Sequence, residues 1–90
     1  MSENTLSVLV VDRKRSLWEG EAEFVSVPAV DGSLGILPGR QPALAVLSPG
    51  DLEIQVPGAG RVRVNVTGGF VSLDENAITV VVEEGSLLSQ

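Results

Sequence analysis

Histidine and cysteine are absent from this 90-residue chain, and aromatic residues make up only 3% of it. Without histidine, the side chain that titrates nearest neutrality is missing from general acid–base chemistry. Without either residue the common catalytic triads cannot be assembled, and disulfide frameworks and thiolate zinc sites are excluded. A metal site would have to be all-oxygen, and the acids lack the dense Asp/Asn spacing of a calcium loop. Asp74-Glu75-Asn76 comes nearest and reads more simply as a hairpin turn. Net positive charge is also lacking. The formal charge is −6 and the pI about 4.3, which argues against nucleic acid as a partner. No apolar run reaches the roughly 18–20 residues that span a bilayer, so direct membrane insertion is not expected. The first residues, Met1 to Thr5, lack the basic and apolar regions of a signal peptide and read as a flexible N-terminus. These absences together predict one soluble, cytoplasmic domain.

What is present is valine, at fifteen positions, with 43% apolar residues overall. Valine favours strands, and a chain of this length buries roughly 60–65% of the surface its unfolded form exposes, enough for one thin core. Leu6 to Asp12 reads as a strand and Asp12 to Ser16 as a turn. Glu19 to Val27 reads as a second strand, with Ala22 and Phe24 inward, ended by Pro28. Leu34 to Leu37 and Ala43 to Leu47 are further short strands, the latter stopped by Pro49-Gly50. Leu52, Ile54 and Val56 alternate with polar residues, as do Val62, Val64 and Val66 beyond the turn Pro57-Gly58-Ala59-Gly60. That predicts a hairpin with one buried face, and Glu53 set against Arg61 and Arg63 suits its wet face. Gly68-Gly69 opens a bend, and Phe70 to Leu73 pairs with Ala77 to Glu83. Gly85 to Gln90 reads as a frayed end. About eight short strands at spacings of 8–12 residues predict an all-β sandwich or barrel over residues 6–84.

The segment Val27 to Pro42 holds three glycines and three prolines around the apolar core Leu34 to Leu37. It specifies a backbone path in detail and offers few reactive side chains, which suits a surface made to fit another. A phosphate-loop reading of Gly32, Gly35 and Gly39 fails, because Pro38 and Pro42 oppose a following helix and no lysine follows. Asn65-Val66-Thr67 matches a glycosylation acceptor but lies within a strand. Arg13-Lys14-Arg15 could meet an acidic partner or a lipid phosphate, although a solvated turn is the simpler reading. Trp18 is read as a core anchor, with an interface anchor as the alternative.

In this order and spacing, Val27-Pro28, Asp31-Gly32-Ser33-Leu34-Gly35-Ile36-Leu37-Pro38-Gly39, Pro42, Leu47-Ser48-Pro49-Gly50, Gly68-Gly69-Phe70-Val71 and Asn76-Ala77-Ile78-Thr79-Val80 carry a likeness. From Leu6 to Glu84 the chain resembles the N-terminal domain of the epsilon subunit of F-type ATP synthase, called delta in mitochondria. The resemblance implies a flattened antiparallel β-sandwich of about eight to ten strands, without catalysis or cofactor of its own. It implies a rotor subunit that grips the gamma subunit and touches the polar loops of the c-ring, peripheral to the cytoplasmic face of a bacterial membrane. Carried over, Val30, Asp31, Gly32, Ser33 and Leu34 face the c-ring, and Gly39, Arg40, Gln41 and Pro42 lie near gamma.

Three departures accompany it. Arg40 stands where most members have histidine, and Ser33 where many have an acid. The helical hairpin that carries an inhibitory arm in the family, and in some bacteria an ATP site, has no counterpart in these residues. Two readings outside the family remain open. One is an independent β-sandwich adaptor that binds a peptide along an edge strand. The other is a small hydrolase built on Ser and Asp, for which no motif supplies a base.

Overall fold

The computed structural model describes residues 5–89, and each regular element in it is a strand. Ten strands follow one another: β1 (Leu6–Val11), β2 (Ser16–Ala22), β3 (Phe24–Ala29), β4 (Gly32–Ile36), β5 (Ala43–Leu47), β6 (Gly50–Val56), β7 (Gly60–Val66), β8 (Gly69–Asp74), β9 (Ala77–Val82) and β10 (Gly85–Ser89). They are hydrogen-bonded in the order β10-β7-β6-β3-β5-β8-β9-β1-β2, and β4 pairs with β3 off this path. The pairings are antiparallel except that of β1 with β9.

The sheet turns a corner where β3 meets β5 through a single pair, Ala29 opposite Leu47. One layer is then β10-β7-β6-β3-β4 and the other β5-β8-β9-β1-β2. The free ends of the path approach each other, since Leu17 Cδ1 lies 2.8 Å from where a Cβ on Gly85 would stand. A nearly closed all-β sandwich results, as the alternating pattern predicts.

The core follows the period of two. Leu6, Val8 and Val10 of β1, Leu52 and Ile54 of β6, Val62, Val64 and Val66 of β7, and Ile78, Val80 and Val82 of β9 are all buried. No charged or polar residue is buried among the described residues. Each such aliphatic side chain contributes roughly 1.5–3 kcal/mol, so the core is thin but apolar throughout. Trp18 packs half-buried against it, as a core anchor should.

Several expectations need correction. Glu19 to Val27 is two strands, not one, because the chain changes layers at Glu23, whose amide donates to the Gln55 carbonyl at 2.8 Å. The change of layer turns Val25 and Val27 inward and leaves Phe24 half-buried on the outer face. Its ring covers Gly35, 3.1 Å from where a Cβ would sit. Pro28 does not end β3. It stands opposite Ser33 within the strand, and its carbonyl accepts from the Ser48 amide at 2.8 Å. Gly85 to Ser89 is not frayed but forms β10, in register with β7 from Gly85 opposite Val66. Of the expected flexible N-terminus, residues 1–4 lie outside the described residues, as does residue 90.

Candidate partner-binding surface

Val30 and Asp31 form a two-residue turn between β3 and β4, closed by Ala29 opposite Gly32. Gly32 takes φ +115°, which an L side chain rarely adopts. Val30, Asp31, Gly32 and Ser33 are exposed, whereas Leu34 stands opposite buried Val27 and packs against the core. The outward chemistry of this tip is therefore Val30, Asp31 and Ser33. The tip is fixed to β5, because the Val30 amide donates to the Val46 carbonyl at 3.0 Å. Ser48 adds a hydroxyl bond to the Ala29 carbonyl at 3.4 Å.

Gly39, Arg40, Gln41 and Pro42 lie in the connection from β4 to β5, and all four are exposed. Gly39 has φ +88°, and its amide donates to Asn76 Oδ1 at 2.8 Å. Arg40 Nη1 donates to the Gly35 carbonyl at 3.1 Å. An open groove of about 360 Å³ is lined by Leu34, Ile36, Arg40, Gln41, Pro42, Ala43 and Leu73. The groove joins Leu34 to three of the residues near gamma in the resemblance. Asp31 stays apart, since four extended residues, about 13 Å, separate it from the Gly35 carbonyl that Arg40 holds.

Asn76 was missed as a positioning residue by sequence reasoning. Glu75 and Asn76 have φ values of 51° and 64°, the left-handed pair of a type I′ hairpin turn, which Asn tolerates well. The signal was present in Asp74-Glu75-Asn76, but its link to Gly39 spans 37 residues.

A second feature was also missed. Leu44 is 73% exposed, Val46 57%, Phe70 46% and Val30 60%. Register explains how they gather. Val46 stands opposite Phe70, Phe70 opposite Val81, and Val81 opposite Val11. The inward neighbours Leu47, Val71, Val80 and Val10 are buried, so this row lies on the outer face. The next row outward is Leu44, Ser72, Thr79 and Leu9. Eight outward positions on four strands thus carry no charge, on a chain where 20% of residues are charged. The other layer differs. There Glu53 meets Arg61 and Arg63, and Asp51 meets Arg63, each at 3.5 Å. A largely apolar, uncharged outer face on one layer, opposite a charged one on the other, marks an interaction surface.

Residues 5–86 match the family described as "ATP synthase, Delta/Epsilon chain, beta-sandwich domain". The chain belongs to this family. It is 38% identical over 82 residues to the ATP synthase epsilon chain of Micrococcus luteus, covering 91% of this chain and 90% of that one. With the epsilon chain of Streptomyces coelicolor it shares 37% over 82 residues, or 91% and 66% of the two chains. With that of Leptospira interrogans it shares 38% over 87 residues, or 97% and 68%. The chain thus spans about two thirds of the latter two epsilon chains. In solved structures, the sandwich superposes on a chain of the Euglena gracilis mitochondrial ATP synthase (OSCP/F1/c-ring) with a TM-score of 0.87 at 16% identity, covering 93% and 54% of the two chains. A chain of the Tetrahymena thermophila mitochondrial ATP synthase (central stalk/c-ring) gives 0.75 at 20% identity, covering 90% and 65%. Both likenesses establish the fold alone.

Proposed function

We propose that this chain is a rotor subunit of a proton-translocating F-type ATP synthase, joining the gamma subunit to the c-ring at the cytoplasmic face of a bacterial membrane. It performs no catalysis itself and transmits torque as a rigid body. The observation that carries this reading is the uncharged outer face built by Leu44, Val46, Phe70, Val81, Val11 and Leu9, on a chain that belongs to the delta/epsilon family. Such a face requires a cover, and gamma is the cover this reading assigns. Gly39, Arg40, Gln41 and Pro42 lead directly into β5 and so border that face. The Val30–Ser33 tip lies at its corner and meets the c-ring. Rigidity comes from the ties of the tip to β5 and of Gly39 to Asn76. Edge-strand binding is left only short β4, which pairs with β3 alone, because the edges of β2 and β10 approach each other at Leu17 and Gly85.

Two substitutions separate the two contacts. Arg40→Glu should weaken gamma binding by on the order of 2 kcal/mol while the domain stays folded, because Arg40 is exposed. Ser33→Arg should leave gamma binding intact and lower proton-driven ATP synthesis in membranes. Full gamma affinity in the first variant together with lost affinity in the second would invert the two faces.

A further inference from the structure

Of the six Lys and Arg residues in this chain, three are consecutive in the β1–β2 turn: Arg13, Lys14 and Arg15. The other three are engaged. Arg61 pairs with Glu53, Arg63 with Asp51 and Glu53, and Arg40 with the Gly35 carbonyl. Arg13, Lys14 and Arg15 are exposed and enter none of the ion pairs found among the described residues.

The turn is held from within. Asp12 Oδ1 accepts from the amides of Lys14 at 2.8 Å and Arg15 at 2.9 Å, and the Asp12 amide donates to the Arg15 carbonyl at 3.0 Å. Its shape therefore needs nothing from the three cationic side chains. They overlook an open cleft of about 1090 Å³, with Asn65 and Thr67 among its walls and Glu83 and Glu84 facing them from the β9–β10 turn. Those two acids and Asp12 offset the three cations locally. The rest of the chain, with three cations and nine acids, carries the whole formal charge of −6. An acidic surface is thus repelled over most of this molecule and, among the described residues, meets a run of cations outside ion pairs only here, Arg40 being a single such cation elsewhere.

The position of the turn matters as much as its charge. Val11, the residue before Asp12, ends the outward apolar row through Val81, Phe70 and Val46, in which Val11 and Val81 are half-buried and Phe70 and Val46 exposed. Glu19 and Glu21 border the same layer on β2, opposite Leu9 and Ser7. The rim of the apolar face is therefore cationic at one corner and anionic along the β2 edge.

We propose that the Arg13-Lys14-Arg15 turn receives an acidic segment of the protein that covers the apolar face, and that this contact sets the rate and orientation of docking. This rests on the reading of gamma as that protein. Rim charges act mainly on association, through a field that salt screens within about 10 Å at 0.1 M.

The experiment is stopped-flow association of the full chain with purified gamma, comparing the native chain with the triple variant Arg13→Ser, Lys14→Ser, Arg15→Ser. The triple variant should associate about ten-fold more slowly at low salt, with a dissociation rate within about two-fold of native, and the difference should vanish near 0.5 M salt. Equal association rates with equal salt dependence would overturn the contact alone. Absence of gamma binding by the native chain would remove the functional reading and this contact together. Binding of the native chain to phosphatidylserine vesicles, lost in the triple variant while gamma association stays unchanged, would reassign the turn to the membrane.

Discussion

Gly68 and Gly69 are neighbours with the same chemistry, yet the fold makes different demands on them. Both have left-handed φ values, 147° and 135°. A Cβ on Gly68 meets nothing within 4 Å, whereas a Cβ on Gly69 would lie 1.9 Å from the Val81 carbonyl oxygen. Gly68→Ala should therefore cost about 1–3 kcal/mol, the range of local backbone strain. Gly69→Ala adds a backbone collision between β8 and β9 and should exceed that, on the order of 4 kcal/mol in urea unfolding. Equal costs would contradict the close approach. The sequence announced a bend at this pair but not which glycine is irreplaceable, because the colliding atom belongs to a strand twelve residues later. Asp12 has a comparable local role. Hydrogen bonds from the Lys14 and Arg15 amides, helped by the charges of Arg15 and Lys14, hold its carboxyl below the usual carboxylate range. A lowered folded-state pKa means that the contribution of the turn is present above the unfolded value and lost as pH falls through the folded one. NMR titration should find the Asp12 midpoint lower in the domain than in a peptide of residues 10–17, and equal midpoints would contradict the capped turn.

Among the elements, the β6–β7 hairpin was the most legible. Both arms alternate strictly, and Glu53, Arg61 and Arg63 pair on the wet face as expected. Val64 is fully buried on the inward face. Val64→Asp should abolish folding, since an unpaired buried charge costs several kcal/mol against a total stability of about 5–15 kcal/mol. Arg61→Ser, at an exposed ion pair, should change stability by less than about 1 kcal/mol. Retained native circular dichroism in the first variant would contradict the assigned face. Other elements were less legible for physical reasons. One residue, Glu23, carries the chain between layers, too short an interruption to register in an alternation that Phe24 seemed to continue. β10 was invisible because its short Gly85–Ser89 stretch is fixed by pairing with β7, a partner some twenty residues earlier. Asp74-Glu75-Asn76 was legible as a turn, but the Asn76 bond to Gly39 was not, since tertiary contact alone brings the two together.

For the molecule as a whole, the motifs from Val27 to Val80 were enough to indicate the delta/epsilon sandwich. The surface it turns outward was harder to see. Ala43 to Leu47 reads as a uniformly apolar strand, and nothing local says that Leu44 and Val46 face out. Only the register with β8 and β9 assembles them with Phe70 and Val81 into one uncharged face. The proposed rotor role depends on that face having a cover, with Arg13-Lys14-Arg15 and Gly39–Pro42 at its borders. Phe70 is the largest side chain in it and 46% exposed, so a charge there leaves the core intact but removes an aromatic anchor. The most direct measurement is isothermal titration calorimetry of the full chain and its Phe70→Glu variant against purified gamma subunit. The native chain should form a one-to-one complex, weakened at least about ten-fold by Phe70→Glu at unchanged circular dichroism. No complex with the native chain, or full affinity in the Phe70→Glu variant, would contradict the proposed role.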